Sequence, residues 1–125
     1  MGSQYLLDTN AVIDFAANRL PLSSAQKLSE IVDDAPVISF INKIELIAFT
    51  NVPIVVNSFV DAAKVITIND EIINQTIEVR KRYRLKLPDA IIAATAIVNN
   101  LTLVTHNIKD FRKINGLNLI DSYQL

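Results

Sequence analysis

The sequence contains no cysteine, two glycines and four prolines in 125 residues. The absence of cysteine excludes a disulfide framework, a thiolate metal site and a cysteine nucleophile, so we expect a protein of the reducing cytoplasm. A half-hydrophobic composition without low-complexity tracts argues against disorder. No apolar run reaches the roughly eighteen residues that a membrane span needs, and the first residues do not form a signal-type segment. We therefore predict one compact domain over residues 1–125, with no membrane association.

The chain also lacks an excess of charge of either sign. Twelve Lys and Arg side chains are balanced by thirteen Asp and Glu side chains, which gives a formal net charge of −1. A protein held to nucleic acid by its overall field would be basic, so any phosphate contact must be local. The candidates are five cations in one stretch: Arg80, Lys81, Arg82, Arg84 and Lys86. These side chains either complement the dipole of a helix C-terminus or contact an RNA backbone.

Hydrophobic periodicity predicts strands that alternate with helices along the chain. The predicted strands are 4–7, 36–38, 65–68, 101–105 and 117–120. The predicted helices are 10–17, 23–33, 41–49, 54–64, one from 70 into the basic stretch, 89–98, and a short turn at 110–111. A capping-box pattern at Ser23 predicts the start of the second helix. Strands separated by helices favour an α/β fold with a mainly parallel sheet of about five strands, covered on both faces.

Ligands bind at the carboxyl ends of parallel strands in folds of this kind, and four acidic residues are expected to meet there. Two of them follow predicted strands, and two lie in predicted helices near the same edge of the sheet. The four acids are Asp8 in Asp-Thr-Asn, Glu45 in Asn-Lys-Ile-Glu-Leu, Asp89 in Leu-Pro-Asp-Ala, and Asp110 in Thr-His-Asn-Ile-Lys-Asp-Phe. Carboxylates brought together in apolar surroundings repel one another and need a cation. Hard divalent ions such as Mg²⁺ take oxygen ligands, so this cluster points to metal-assisted phosphate chemistry.

Each acid alone also has a purely structural interpretation. Asp8 would cap a helix, and Asp89 would be a favourable acidic residue in a first helical turn. Glu45 would be a solvated helix residue, and Asp110 would belong to a surface turn. One shared site explains all four more economically, because each acid has polar neighbours of the kind that support a ligand.

These motifs, in this order, resemble those of PIN-domain ribonucleases and, within that family, the VapC-type toxins of bacterial and archaeal toxin–antitoxin pairs. The resemblance covers nearly the whole chain, and its most specific parts are 87–93 and 105–111. It implies a PIN-like three-layer sandwich and an RNA hydrolase that uses one or two Mg²⁺ or Mn²⁺ ions. The acids that hold or orient these ions would be Asp8, Glu45, Asp89 and Asp110. In this scheme Asp8 and Asp89 hold one metal, while the other two acids hold a second metal or steer the attacking water.

Further residues are expected around the acids. Supports for ligands or phosphate are Thr9, Asn10, Ser39, Thr105 and Asn107, although each also suits a helix cap. The candidate RNA-backbone contacts are Arg80, Arg82 and Arg84. His106, the only histidine, either shuttles a proton or is a surface residue. Tyr83 and Phe40 either stack on bases or pack in the core or an interface.

The helices predicted at 41–49 and 54–60 carry more large apolar side chains than one side of a small sheet can cover. They either bury completely or leave an apolar groove or dimer surface. VapC-like toxins typically form homodimers and are silenced by an antitoxin segment that packs in such a groove. The resemblance therefore implies a homodimer with a cognate VapB-like antitoxin as its partner.

Two alternatives keep the α/β pattern. In a phospho-accepting receiver domain Asp70 would be the acceptor, but Asp8 lacks an acidic neighbour and no Lys follows the last predicted strand. The other alternative is a non-catalytic PIN-fold domain that only binds RNA. The presence of all four acids counts against it.

Overall fold

The structure, a computed structural model, describes residues 4–49, 51 and 53–125. Its strands are β1 (Tyr5–Leu7), β2 (Val37–Ser39), β3 (Lys64–Ile66), β4 (Thr102–Thr105) and β5 (Asn118–Asp121). Its helices are α1 (Thr9–Ala16), α2 (Leu22–Asp34), α3 (Phe40–Ala48), α4 (Val55–Ala62), α5 (Asp70–Arg82), α6 (Leu87–Val98) and α7 (Ile108–Phe111), and a 3₁₀ turn follows at Ser122–Gln124. Within the described ranges, no helix is long and apolar enough to cross a membrane.

All the strand pairs are parallel. One ladder has the order β1-β4-β5, and a second ladder pairs β2 with β3. β1 lies beside β2, so the two ladders are neighbours, although they are not joined by a hydrogen-bonded register. The predicted α/β fold is confirmed, and its five strands are divided between two ladders. Because β1 and β4 run in the same direction, the residues that follow them meet at one edge.

The core lies on both faces of the strands, as the predicted sandwich requires. Consecutive strand residues alternate between two apolar clusters: Leu6 packs in one and Leu7 in the other, and Leu103 and Val104 separate in the same way. The first cluster contains side chains of α5, α6 and α7, and the second contains side chains of α1, α2, α3 and α4. A sheet covered on both sides explains why consecutive residues in the middle of these strands, such as Leu103 and Val104, are both apolar.

Local capping fixes where the helices begin near the strand ends. Asp8 caps α1, Ser39 caps α3 and Asn69 caps α5, each with its side chain. The capping box predicted at Ser23 is wrong. α2 begins at Leu22 after an N-cap at Pro21, which makes no side-chain capping bond because its ring has no polar side-chain atom. The ring instead restricts φ, which is −54°, at the helix entry.

Candidate active site

Asp8 is the buried centre of the site. It follows β1, and only 6% of its surface is exposed. Its Oδ1 accepts hydrogen bonds from the Thr9 backbone N–H at 2.9 Å and from Asn42 Nδ2 at 3.1 Å, and its Oδ2 accepts one from Thr105 Oγ1 at 2.8 Å. Burial raises the pKa of the Asp8 carboxyl, while these hydrogen bonds act in the opposite direction. The surrounding donors therefore support a charge that burial alone would disfavour.

Glu45 is held by the same hydrogen-bond network. Thr9 Oγ1 donates to Glu45 Oε1 at 2.7 Å and accepts from Asn42 Nδ2 at 3.1 Å. Asn42 is fully buried one turn before Glu45 on α3, and its Oδ1 accepts from the hydroxyl of Ser39 at 2.7 Å. Ser39 thus acts on the acids through Asn42, not directly.

A second branch joins Asp8 to Asp110. Thr105 Oγ1 accepts from Asn10 Nδ2 and from the Asn107 backbone N–H, each at 3.0 Å, while it donates to Asp8. Asn107 Nδ2 in turn donates to Asp110 Oδ2 at 3.0 Å. Of the five predicted supports, all but Ser39 therefore bond to an acid directly.

Asp89 completes the acid cluster from the first turn of α6. In the part of the chain that the structure describes, its carboxylate accepts no hydrogen bond, and its side chain is half-buried. Burial raises the pKa of Asp89 most, and the negative charges of Asp8, Asp110 and Glu45 raise it further, while Lys86 lowers it. Four carboxylates contributed by separate elements thus share one electrostatic environment.

This donor set fits a hard divalent cation. None of the four acids has a Lys, Arg or His nitrogen within 4.0 Å among the described residues, so their charge lacks a protein counter-ion. Within the same ranges, no three Asp, Glu or His side chains are close enough together to hold one metal ion. No more than two of these carboxylates would then contact the same ion, which suits Mg²⁺ or Mn²⁺, because such ions commonly use one or two carboxylates and retain several waters. Asp89, whose carboxylate accepts no hydrogen bond from any described residue, is the acid most free to turn towards a metal.

Asn42 is the functional residue that the sequence interpretation missed. Asn42 donates directly to one acid, Asp8, and also to Thr9, which in turn donates to a second acid, Glu45. Asn42 therefore helps to position both acids. The sequence signal was the Ser39-x-x-Asn42 spacing, in which the side chain of each residue bonds the backbone of the other in a capping box. An asparagine in an otherwise apolar segment also needs partners if it is buried.

His106 lies beside the cluster, but its ring is engaged elsewhere. Its Nδ1 lies 2.9 Å from Asp121 Oδ1, and its ring stacks on Tyr123 with the centroids 3.8 Å apart. Only its backbone N–H reaches the site, where it donates to Asn10 Oδ1 at 2.9 Å. This geometry favours the surface interpretation of His106 over proton transfer.

The basic stretch divides into residues with different environments. Arg80 donates to the Leu85 carbonyl at 3.1 Å, and Lys81 lies 3.8 Å from Glu78, so these two stabilise the end of α5. Arg82 and Arg84 instead line a cleft of about 420 Å³ that also includes Asp110. The Tyr83 hydroxyl accepts from the Asn115 N–H at 3.0 Å and its ring packs on the core, which favours the packing interpretation. Phe40, the first residue of α3, is half-buried.

Comparison with known proteins identifies the family. A family model of the PIN domain matches residues 5–117, so the chain belongs to the PIN domain family. This membership excludes the receiver alternative, and Asp70, its proposed acceptor, is exposed at the start of α5. A comparison with curated proteins found no match.

Several solved structures are similar to the chain over almost its full length. A chain of a toxin-antitoxin complex from Klebsiella pneumoniae is 29% identical with a TM-score of 0.72, covering 97% of this chain and 99% of that one. A chain of DNA-bound VapBC from Salmonella typhimurium is 25% identical with a TM-score of 0.80, covering 97% and 99%. A chain of VapBC-1 from nontypeable Haemophilus influenzae is 27% identical with a TM-score of 0.76, covering 96% and 98%. The expected resemblance to VapC-type PIN proteins is thereby confirmed.

Proposed function

We propose that this protein is a metal-dependent endoribonuclease and the toxin of a VapBC-type pair, which hydrolyses RNA phosphodiester bonds. The carboxylate cluster is the proposed hydrolytic centre: Asp8, Glu45, Asp89 and Asp110. The observation that carries the proposal is the hydrogen-bond network that links three of the acids, Asp8, Glu45 and Asp110, while no Lys, Arg or His nitrogen is paired with any of the four among the described residues. Asp89 lies close enough to this network for the three charges to raise its pKa, in addition to the larger effect of burial. Such a concentration of negative charge is unfavourable unless a divalent cation binds it.

The four acids have different proposed roles in such a site. Asp8 and Asp89 would hold Mg²⁺ or Mn²⁺, which when bound polarises a phosphate and lowers the pKa of a coordinated water. Glu45 and Asp110 would hold a second ion or accept the proton of the attacking water. The hydrogen bond from Thr9 fixes Glu45, and the one from Asn107 fixes Asp110. These bonds limit the rotamers of both acids and orient their free oxygens.

The experiment that tests this proposal is cleavage of total cellular RNA by protein freed of any partner, with cut ends mapped by sequencing. We expect cleavage at discrete sites in Mn²⁺ and none in EDTA. Asp89→Asn should lose at least roughly 100-fold in rate, beyond the loss that a supporting residue of a metal site gives. Asp34→Asn, at an exposed acid on α2, is the matched control and should cleave normally. Cleavage in EDTA, or full activity of Asp89→Asn, would contradict the proposal, and intact RNA bound without cleavage would favour the non-catalytic alternative.

The antitoxin is the proposed partner, because the similar structures include toxin-antitoxin and VapBC complexes. An apolar groove of about 450 Å³ runs between α1, α2 and α4. Its lining includes Val12, Phe15, Ala16, Val32 and Phe59. We infer that an apolar antitoxin segment packs here. The groove uses α4 as predicted, but α1 and α2 form its other walls and α3 does not line it.

Substitution of an exposed residue in the groove tests the antitoxin site without changing the packing of the core. Ser58 is exposed and lines the groove, so Ser58→Arg should fill it and abolish co-purification with the protein encoded by the neighbouring reading frame. Asn57→Arg, at the adjacent exposed position outside the groove, should leave co-purification intact. Both variants should retain RNA cleavage when purified alone. Normal co-purification of Ser58→Arg would remove the partner from this groove.

A homodimer is also proposed, and the structure offers apolar surface for it. Ile73 and Ile77 lie one turn apart on α5 and are 42% and 47% exposed. Three side chains of α3 and its C-cap, Ile44, Ile47 and Phe49, are also more than half exposed. Ile77→Lys places a charge on this apolar surface, so light scattering should give the mass of one chain. The wild type and the control variant Asn74→Lys should each give the mass of two chains. A monomeric wild type would contradict the dimer.

A further inference from the structure

A cleft with a strongly positive lining adjoins the acid cluster. We define the cationic cleft by its five basic residues: Arg82, Arg84, Lys109, Arg112 and Lys113. Three of them follow or belong to α7 and were not singled out by the sequence interpretation. The cleft thus collects five of the twelve Lys and Arg side chains of a chain whose net charge is −1.

These five cations have no hydrogen-bond or ion-pair partner for their side chains among the residues that the structure describes. In the described ranges, none of the five lies within 4.0 Å of a carboxylate oxygen, and none donates a side-chain hydrogen bond. Arg80 shows the contrast, because its guanidinium bonds the Leu85 carbonyl and complements the end of α5. A helix-capping role therefore accounts for Arg80, but not for the cleft. Unpaired like charges gathered around one concavity favour an anionic ligand.

Asp110 connects the cationic cleft to the acid cluster. It lines the cleft, and its charge contributes to the raised pKa of Asp89. Its Oδ2 is held at 3.0 Å from Asn107 Nδ2, so this acid has a fixed position between the two regions. The acid cluster and the cationic cleft are therefore adjacent, and one extended polyanion can span both. The apolar side chains of Leu85 and Ile114 in the same lining suit the less polar parts of a nucleotide.

We propose that the cationic cleft is a phosphate subsite, which holds the RNA backbone at least one nucleotide away from the scissile bond on the Asp110 side. This inference rests on the proposed nuclease function. The cleft positions the strand and does not read its sequence, because phosphate contacts carry no base information. A substrate must then extend far enough on one side to fill the cleft. The cleft thereby sets the minimal length of an efficiently cut RNA.

The test uses a double substitution at two exposed positions, Arg112→Gln with Lys113→Gln. Lys27→Gln with Lys64→Gln is the control, because it removes the same charge at exposed positions outside the cleft. Each protein is given one RNA that the wild type cuts, shortened stepwise from either end, and versions with one neutral methylphosphonate at successive positions. Circular dichroism confirms that both variants are folded.

We expect the wild type and the control to lose at least 10-fold in cleavage rate when the RNA is shortened past one position on one side. A methylphosphonate at that position should have the same effect. The cleft variant should cut the full RNA as slowly as the wild type cuts the shortened one, and should be insensitive to both changes. Its RNA affinity in EDTA should also depend less on salt, with a slope smaller by about 0.7 for each phosphate that the variant no longer neutralises. The cut site should not move.

If the cleavage rates of the cleft variant and the wild type depend equally on RNA length, the cleft is not a phosphate subsite. The proposal would also be wrong if the cleft variant cleaves RNA normally but no longer binds the co-expressed partner. The cleft would then be a surface that binds a protein. If the wild type cuts no RNA in Mn²⁺, the nuclease proposal fails. In that case the salt slope in EDTA separately shows whether the cleft binds RNA.

Discussion

Thr105 Oγ1 donates a 2.8 Å hydrogen bond to Asp8 Oδ2, which joins the end of β4 to the end of β1 across 97 positions of the chain. The same hydroxyl oxygen accepts from Asn10 and Asn107. Because Asn107 holds Asp110, this one hydroxyl connects two acids that are far apart in sequence. The parallel register of β1 with β4 makes the contact possible, since it places the ends of both strands at one edge.

Removal of this hydroxyl should weaken metal binding while the fold survives. In Thr105→Val the shape is kept but Asp8 Oδ2 loses a donor, so we expect Mn²⁺ affinity to fall about 10- to 100-fold, as for other partners of metal ligands. Thr105→Ser keeps the hydroxyl and should restore the affinity. Titration calorimetry with Mn²⁺ measures both. Equal affinities for the Val and Ser variants would show that the hydroxyl does not position Asp8.

Asn42 should act as a positioning residue. Asn42→Ala leaves Asp8 and Thr9 each without one donor and removes half of the capping box of α3. We expect Mn²⁺-dependent RNA cleavage to fall at least 10-fold, and the free energy of unfolding to fall by about 1 kcal/mol from the lost cap. Measuring cleavage over a Mn²⁺ series separates weakened metal binding from a slower chemical step. If the variant and the wild type are equally active at saturating Mn²⁺, weakened metal binding accounts for the whole loss of cleavage. If neither the rate nor its Mn²⁺ dependence changes, Asn42 is only a core residue.

The pH dependence of stability follows from the raised pKa of Asp89. The folded protein binds a proton at this carboxyl more readily than the unfolded chain does, so ionised Asp89 destabilises the metal-free fold. This cost is complete above the raised pKa, declines as pH falls through it, and vanishes below the ordinary value of 3.8. Asp89→Asn should therefore be more stable than the wild type at pH 7 in EDTA, with the difference shrinking as the solution is acidified. Urea unfolding at several pH values measures it, and a difference that grows on acidification would contradict the sign.

Two fully buried serines should respond to truncation in opposite directions. Among the described residues, Ser122 Oγ is buried without a hydrogen-bond partner, whereas the Ser39 hydroxyl donates to Asn42 and accepts from its backbone N–H. Ser39→Ala should cost about 1 kcal/mol of unfolding free energy through the lost cap. Ser122→Ala removes an unsatisfied polar group and should be neutral or stabilising by about 1 kcal/mol. Thermal unfolding of both variants checks this, and a marked loss in Ser122→Ala would reveal a partner for its hydroxyl.

The sequence predicts the fold well, because strands and helices depend on local patterns, and it places the acids near one end of the sheet for the same reason. Apolar runs at 4–7 and 101–105 identify strands, and an acid or polar residue directly after each strand must lie at its carboxyl end. Asn69 directly precedes the fifth helix and caps it with its side chain, as this residue type commonly does. The Ser23 capping box was wrong because a proline two residues earlier starts the helix by restricting its own backbone.

Features that depend on tertiary placement were not predictable. Lys109, Arg112 and Lys113 look like ordinary surface cations until α7 brings them beside Arg82. The apolar excess on α3 and α4 was predicted, and Ile44, Ile47 and Ile54 are indeed exposed. The groove itself needs α1 and α2, and no periodicity in one helix shows which neighbours will form its walls.

The central claim is that four carboxylates from separate elements form one metal site, and the most direct measurement is the dissociation constant for Mn²⁺ by titration calorimetry. The chain should bind Mn²⁺ less tightly as the pH falls through the raised pKa values of Asp8 and Asp89, because protons compete with the cation for these carboxylates. Asp89→Asn should show no saturable binding under the same conditions, and Asp34→Asn should bind like the wild type. Equal Mn²⁺ affinity in Asp89→Asn and the wild type would contradict the account.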